Sequence, residues 1–214
     1  MVKVWGRRTS FNVQKVMWLV GELGLDHQRI NVGGAFGGLD HPDFRAMNLH
    51  GRIPVIDDGG TVIWESHSII RYLAAHYAAG TIWPKDPAVR SLADRWMDWM
   101  LATLQPDFME LFWAFYRTPD DQRNWPRIQD AMARCARHYR LLDEQLATRS
   151  YLAGNHLTLA DVAVGTSLYR YFALEIDRPS VPYVEAWYGR LAKRTAYHRH
   201  VMVPFDELRG RLDY

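Results

Sequence analysis

The spacing of hydrophobic and polar residues divides this chain into two regions of different character. Over residues 2–78, short β-branched apolar runs alternate with segments in which apolar residues recur every three or four positions. After about residue 88 only the second spacing remains. Because a period near 3.6 is typical of helices and short β-branched runs are typical of strands, the pattern predicts an α/β region followed by an all-helical region.

The first region begins with two strands and the helix that connects them. Residues 2–5 are an apolar strand, and residues 12–23 have helical spacing that Gly24 ends. Residues 27–32 are a second strand, parallel to the first because a helix joins them. A glycine-rich loop and a short helix at residues 42–47 follow.

A hairpin and a third helix complete the first region, giving the predicted order β-α-β-α-β-β-α. An Asp-Asp-Gly-Gly turn at residues 57–60 joins two short strands. Pro54 begins the first of them, although proline cannot donate to a ladder and is restricted to edges, strand starts and bulges. Pro54 is therefore either an ordinary strand-start proline or part of a cis peptide that turns the Ile53 backbone toward an extended ligand.

Glu65 and Ser66 open the helix predicted over residues 66–77. Ser66 can be an ordinary N-cap. Alternatively, the free N–H groups of this helix start, the hydroxyl and the carboxylate can hold the charged end of a small peptide. Both interpretations stay open at this point.

The second region is separated from the first by a segment rich in Gly and Pro. We therefore predict a first domain at residues 1–79, a linker at 80–87 and an all-helical domain at 88–214. Pro106 lies inside the first long helix and is expected to kink it without ending it. The helices are predicted at residues 88–116, 124–147, 158–174 and 182–194.

Composition excludes several classes of function. The 214 residues carry a formal charge of only +2 and no long basic run, which argues against nucleic-acid binding. No apolar run has the length of a membrane span, and no signal peptide is recognised. The single cysteine, Cys135, permits no internal disulfide and indicates a reducing compartment, so we expect a cytoplasmic protein. The His residues lack metal-ligand spacing, and no metal is expected.

The loop between the first strand and the first helix is the expected place for chemistry, because α/β units bind ligands beyond the carboxyl ends of their strands. The loop contains no Cys-x-x-Cys pair, which excludes dithiol exchange there. It offers the Ser10 hydroxyl and the Asn12 amide at the positive end of a helix. Such donors stabilise a thiolate supplied by the ligand. Either residue can also act merely as a helix cap.

Several segments, in this order and spacing, resemble the soluble glutathione S-transferases of the bacterial theta/beta/nu-like group over essentially the whole chain. In the first region they are residues 10–16, 42–44 with Asn48, 51–55 and 65–73; in the second they are residues 157–163. The resemblance implies an N-terminal thioredoxin-like domain and an all-α C-terminal domain. It also implies a homodimer that uses glutathione as co-substrate and needs no metal.

The resemblance assigns roles to individual positions. Pro54 is the cis-proline, and the Ile53 backbone pairs with the cysteinyl residue of glutathione. Glu65 and Ser66 hold the γ-glutamyl amino and carboxylate groups, and Arg52 meets the glycine carboxylate. Ser10 stands at the hydroxyl position that activates the thiol, and Asn12 matches a second donor seen in nu-like relatives.

We expect the second substrate to bind between the domains, over Ser10. The predicted lining is aromatic and therefore suits hydrophobic electrophiles. An aromatic stripe at helical spacing is also typical of core packing. The predicted pocket residues are Phe11, Phe108, Phe112 and Trp113.

The predicted function is conjugation of the glutathione thiolate to hydrophobic electrophiles, with peroxidase activity as a further reaction. The alternatives are a glutathione-binding scaffold with little catalysis and a glutathione-dependent disulfide reductase, because fold alone does not fix function.

The Thr158 motif is predicted to have a structural role. It forms a capping box in which Asp161 reaches back to the cap N–H.

Overall fold

The computed structural model describes residues 1–212 and forms two compact units. The first unit comprises residues 1–85 and 195–203, and the second comprises residues 86–194 and 204–212. The predicted division into residues 1–79, 80–87 and 88–214 stays a prediction. The compact units follow the chain differently, because residues 195–203 return to the first unit.

A four-stranded mixed sheet lies at the centre of the first unit, in the order β2-β1-β3-β4. β1 pairs in parallel with β2 and antiparallel with β3, and β3 pairs antiparallel with β4. On the central strand, Val4 is opposite Arg29 on one side and Ile56 on the other. The strands are β1 Val2–Trp5, β2 His27–Ile30, β3 Val55–Asp58 and β4 Thr61–Trp64.

The helices of the first unit follow the predicted order, and the α/β fold with a helical second region is confirmed. α1 is almost entirely buried and contacts both α3 and α10. The sequence pattern predicted no helix after residue 194, where α10 forms. The helices are α1 Phe11–Glu22, α2 Pro42–Met47, α3 Ser66–Tyr77 and α10 Thr195–His200, with a short 3₁₀ turn at Gly34–Phe36.

Within the described residues, the second unit consists of helices joined by loops, and none of the four strands lies in it. The first predicted long helix is continuous through Pro106, but it contains π-helical segments at Met100–Leu104 and Phe112–Arg117. The wider i→i+5 pattern directly before Pro106 accommodates a residue that has no N–H to donate. The α-helices are α4 Pro87–Trp99, α5 Gln105–Leu111, α6 Trp125–Leu146, α7 Leu159–Gly165, α8 Leu168–Ala173 and α9 Pro182–Ala192.

The single helix predicted over residues 158–174 is wrong, because the structure has two helices there. Thr166 and Ser167 lie at the break between α7 and α8. The Thr166 hydroxyl donates to the Val162 carbonyl at 2.7 Å, and the Ser167 hydroxyl donates to the Val164 carbonyl at 2.8 Å. Hydroxyls that bond to the preceding turn compete with the backbone ladder, which accounts for the interruption.

The capping box at the start of α7 has the predicted geometry. The Asp161 carboxylate accepts the Thr158 N–H at 2.8 Å and the Thr158 hydroxyl at 2.9 Å. Its other oxygen accepts the Leu152 N–H at 2.9 Å.

Among residues 1–212, no helix is long and apolar enough to cross a membrane.

Candidate functional site

Ser10 occupies the N-cap position of α1 in the first unit. Its backbone is extended, with φ −77° and ψ 122°, and its carbonyl accepts the first helical N–H, that of Gln14, at 2.9 Å. The side chain makes no cap hydrogen bond. Within residues 1–212 the Ser10 hydroxyl has no hydrogen-bond partner, so it is available to a ligand.

Gly6 sets the distance between the end of β1 and the start of α1. A Cβ atom at Gly6 would lie 2.3 Å from a methyl carbon of Val13, inside the van der Waals limit. Any larger residue at position 6 would therefore push α1 and its Ser10 away from the sheet. The requirement for glycine here follows from close packing.

Asn12 is held by a buried lysine. The ammonium nitrogen of Lys15 lies 3.1 Å from Asn12 Oδ1 and 3.2 Å from His67 Nε2. Lys15 is fully buried, and its Nζ also lies 4.8 Å from the centre of the Phe11 ring. Because Oδ1 accepts from Lys15, the amide group of Asn12 is oriented and its N–H donors are left for another partner.

The charge state of this cluster is set by burial. Burial lowers the pKa of Lys15 to about 7, although the nearby Glu65 carboxylate raises it in part. Burial, Lys15 and Arg71 lower the pKa of His67 to about 2, so the imidazole is neutral and accepts from Lys15. Lys15 therefore changes its charge near neutral pH, directly behind Asn12.

The loop before β3 contains the predicted proline. The Ile53–Pro54 peptide is cis, as the resemblance implied. The buried side chain of Asn48 fixes this loop, donating to the Arg52 carbonyl at 2.9 Å and accepting the His50 N–H at 3.0 Å. The Arg52 side chain is exposed.

Glu65 and Ser66 form the start of α3. Glu65 has φ 67°, the one non-glycine residue of the described chain in the left-handed region. Such backbone conformations are strained and concentrate at functional sites. Glu65 makes no cap hydrogen bond, so the first N–H groups of α3 receive no side-chain acceptor from it. Ser66 is buried, and its hydroxyl has no hydrogen-bond partner within the described residues.

The first unit thus contains all the residues assigned to glutathione and its thiol. The Lys15 contact joins α1, which carries Asn12, to α3, which begins at Ser66. Sequence reasoning treated Lys15 and His67 only as parts of matching motifs. A lysine among the apolar positions of α1 was the signal that a buried polar contact existed there.

The four residues predicted to line an electrophile pocket belong to different units. Phe11 is buried in the first unit. In the second, Phe108 and Phe112 are buried with ring centres 6.2 Å apart, and Trp113 is half-buried under the Arg117 guanidinium at 3.9 Å. This burial is what core packing produces, and the pocket assignment stays a prediction.

A separate aromatic cavity of about 220 Å³ lies within the second unit. Its rings come from the end of the long helical run, from α8 and from the segment after α10, and polar side chains complete it. The lining includes Phe115, Tyr116, Tyr169, Phe205, Arg123 and Arg209.

Cys135, the single cysteine, is buried in α6. Burial raises the pKa of its thiol to about 12. The side chain is therefore a protonated thiol at neutral pH, unsuited to nucleophilic chemistry.

Within residues 1–212, no three His, Cys, Asp or Glu side chains come together in an arrangement that would hold a metal ion.

Comparison with known proteins agrees with this fold. A family described as "Glutathione S-transferase, N-terminal domain" matches residues 9–76, and "Glutathione S-transferase, C-terminal domain" matches residues 104–195. The sequence is 34% identical to glutathione S-transferase GstB of Escherichia coli, over 95% of this chain and 99% of that protein. It is 30% identical to glutathione S-transferase 3 of Zea mays, over 94% and 93% of the two chains.

A solved structure extends the comparison to three dimensions. The theta-class glutathione S-transferase of Xanthomonas axonopodis pv. citri, with glutathione bound, is 43% identical and superposes with a TM-score of 0.91, covering 95% of this chain and 98% of that one. The chain therefore belongs to the glutathione S-transferase family.

Proposed function

We propose that this protein is a glutathione transferase in which Ser10 and Asn12 stabilise the thiolate of bound glutathione. The observation that carries the proposal is the free Ser10 hydroxyl, which lies at a helix start without serving as its cap. The bound glutathione of the Xanthomonas relative supports the choice of ligand.

Four further positions of the first unit suit the rest of the peptide. The Glu65 carboxylate suits the glutathione α-amino group, while Ser66 and the N–H groups at the start of α3 suit its α-carboxylate. The exposed Arg52 suits the glycine carboxylate, and the Ile53 backbone before Pro54 suits the cysteinyl residue.

The chemical step needs little from the protein beyond these donors. The bound thiol loses its proton to solvent, and O–H and N–H donors from Ser10 and Asn12 hold the thiolate. The sulfur then attacks an electrophilic carbon, a carbon–sulfur bond forms, and the leaving group departs with its electron pair. No covalent enzyme intermediate is required, which agrees with the buried state of Cys135.

The proposed class of electrophile is hydrophobic, because the side chains proposed to contact it are aromatic. Phe11, Phe108, Phe112 and Trp113 are proposed to serve hydrophobic electrophiles, and hydroperoxides are proposed as further substrates. The aromatic cavity of the second unit, with its rings and charged side chains, supports affinity for ring-bearing compounds that also carry polar groups. We also propose that the protein acts in the cytoplasm as a homodimer.

Replacement of Ser10 by alanine tests the proposal. Because removing one donor from a developing anion slows turnover by roughly 10²-fold, Ser10→Ala should lower kcat strongly while the glutathione Kd changes little. Ultraviolet absorbance of the thiolate should give a higher pKa for glutathione bound to the variant. Asn12→Ala should show the same direction with a smaller effect.

Ser91→Ala, at an exposed serine of α4, is the matched control and should behave like the wild type. Unchanged kcat in Ser10→Ala would remove Ser10 from thiol activation. Glutathione binding with an unshifted thiol pKa in the wild type would favour a binding protein over a transferase. A panel of aryl halides, epoxides, hydroperoxides and mixed disulfides separates conjugation from reductase activity.

A further inference from the structure

A second cavity, of about 370 Å³, lies within the first unit and is lined mainly by basic side chains. The loop before α1, α1 itself, β2 and α10 all contribute to it. None of the residues assigned to glutathione lines this cavity. The lining residues are Arg8, Gln14, Met17, His27, Arg29, Arg199 and His200.

Two of the three arginines of this basic cavity, Arg29 and Arg8, are positioned by acceptors that carry no charge. Arg29 donates to the Gly6 carbonyl at 2.9 Å and to the side-chain oxygen of Asn31, and Arg8 contacts the Arg199 carbonyl at 3.4 Å. Over residues 1–212, none of the three forms a salt bridge, and no acidic side chain lines the cavity. Several guanidinium donors are therefore left without an anionic partner.

Two histidines also line the basic cavity. His27 donates from Nδ1 to the Leu25 carbonyl at 2.8 Å, which leaves Nε2 for a ligand, and its ring centre lies 6.1 Å from that of His200. Burial, followed by the nearby guanidinium groups of Arg199, Arg8 and Arg29, lowers the pKa of His200 to about 4, so its imidazole is neutral at neutral pH. Burial and Arg8 lower the pKa of Arg29. Burial is the main cause of both pKa shifts, and the neighbouring arginines add to it.

The backbone is shaped to bring these groups together. Gly21 of α1 faces α10, and a Cβ atom there would lie 2.9 Å from Cβ of Ala196 and 3.0 Å from Cδ2 of His200. A larger residue at position 21 would move α10 away and open the cavity. The close contact therefore places His200 and Arg199 at the cavity wall.

Gln14 provides the second, independent indication of a ligand. Its side chain is 1% exposed, and its Oε1 has no hydrogen-bond partner among the described residues. Its amide nitrogen makes only a long contact to the Arg8 carbonyl, at 3.4 Å. A buried acceptor without a donor is unfavourable, so a ligand hydroxyl at this position would be stabilised.

We propose that this basic cavity binds a small phosphate monoester, with its phosphate on the guanidinium groups of Arg8, Arg29 and Arg199 and a hydroxyl of the ligand on Gln14. Arginine is suited to phosphate because its planar fork makes paired, charge-assisted hydrogen bonds. The volume matches a small ligand of this kind. A phosphate dianion also neutralises more of the cluster than a single carboxylate does.

Calorimetric titration of the full-length protein at constant ionic strength tests the site. Inorganic phosphate and glucose 6-phosphate are the probes, citrate is the carboxylate comparison, and chloride is the ionic control. We expect glucose 6-phosphate to bind most tightly, and saturating glutathione to leave its Kd unchanged.

Variants assign the binding to the basic cavity. Arg199→Gln removes one charge-assisted contact and should weaken phosphate binding by about tenfold without loss of transferase activity. Arg8→Gln should do the same. Gln14→Leu should weaken glucose 6-phosphate binding but leave inorganic phosphate unaffected. Arg137→Gln, which removes an exposed arginine of α6, is the matched control and should bind like the wild type.

Several results would overturn the proposal. They are the absence of phosphate binding at millimolar concentration, an equal response to chloride, binding of citrate alone, displacement by glutathione, or equal weakening in Arg137→Gln and Arg199→Gln. Thermal midpoints of the variants within about a degree or two of the wild type, as expected for exposed arginines, would show that lost binding is not lost folding.

Discussion

At the scale of single residues, the notable feature is Lys15, a fully buried lysine between Asn12 and His67. A buried ammonium must be hydrogen-bonded to be tolerated, and Lys15 uses the Asn12 amide oxygen for this purpose. The same bond fixes which side of the amide can face a thiolate. Lys15 is therefore a positioning residue in the proposed mechanism.

We predict that Lys15→Met lowers kcat several-fold, because the Asn12 donor to the thiolate is weakened but not removed. The variant should also raise the pKa of the bound glutathione thiol, because Asn12 is no longer oriented and a nearby positive charge is lost. Steady-state kinetics and thiolate absorbance measure the two effects. Lys193→Met, at an exposed lysine after α9, is the control.

The pH profile distinguishes this positioning effect from simple loss of packing. Because the pKa of Lys15 is about 7, the ammonium is present below that pH and is lost above it. The difference in thiol activation between the wild type and Lys15→Met should therefore be largest below pH 7 and shrink above it. A difference that is constant with pH would indicate a purely structural effect.

At the scale of elements, the sequence predicted α2 and α3 with their observed bounds, but it did not predict the interruptions in the second unit. Start signals are local, since a cap residue or a proline acts within one turn. The break after α7 depends on the Thr166 and Ser167 hydroxyls bonding to the preceding turn. Solvent-exposed hydroxyls in a continuous helix would give the same sequence pattern.

The start of α7 gives a stability prediction. Thr158→Ala removes the hydroxyl that contacts Asp161 at 2.9 Å and should lower the free energy of unfolding by about 1 kcal/mol. Denaturant unfolding at neutral pH is the measurement. Thr148→Ala, at an exposed threonine after α6, should change stability little, and equal losses in both variants would contradict the cap assignment.

At the scale of the whole molecule, the structure shows a course of the chain that the sequence pattern did not predict. After the second unit, residues 195–203 return to the first unit, where α10 packs on α1. Tyr197 is fully buried, and its ring meets that of Trp18 edge-on with centres 4.7 Å apart. This return also supplies two lining residues of the basic cavity, Arg199 and His200.

We predict that Tyr197→Ala lowers the free energy of unfolding by about 3–5 kcal/mol, because it leaves a cavity beside the buried Trp18. Denaturant unfolding followed by tryptophan fluorescence should report the loss. Tyr183→Ala is the matched control, since that side chain is 48% exposed. A small effect at Tyr197 would mean that α10 contributes little to the first unit.

The sequence alone determined the α/β and helical regions and the family. It also placed Ser10 before the first helix, Pro54 at the start of a strand, and Glu65 and Ser66 at the start of the third helix. These features depend on local spacing, turn chemistry and motif order, which a linear pattern records. Only the tertiary structure decided which hydroxyls and amides of the described residues are free, that Lys15 is buried against Asn12 and His67, and that three arginines without a salt bridge within residues 1–212 line one cavity. The physical reason is that burial, pKa shifts and unmet hydrogen bonds arise from neighbours distant in the chain, and α10 in particular meets α1 across more than 170 residues of sequence.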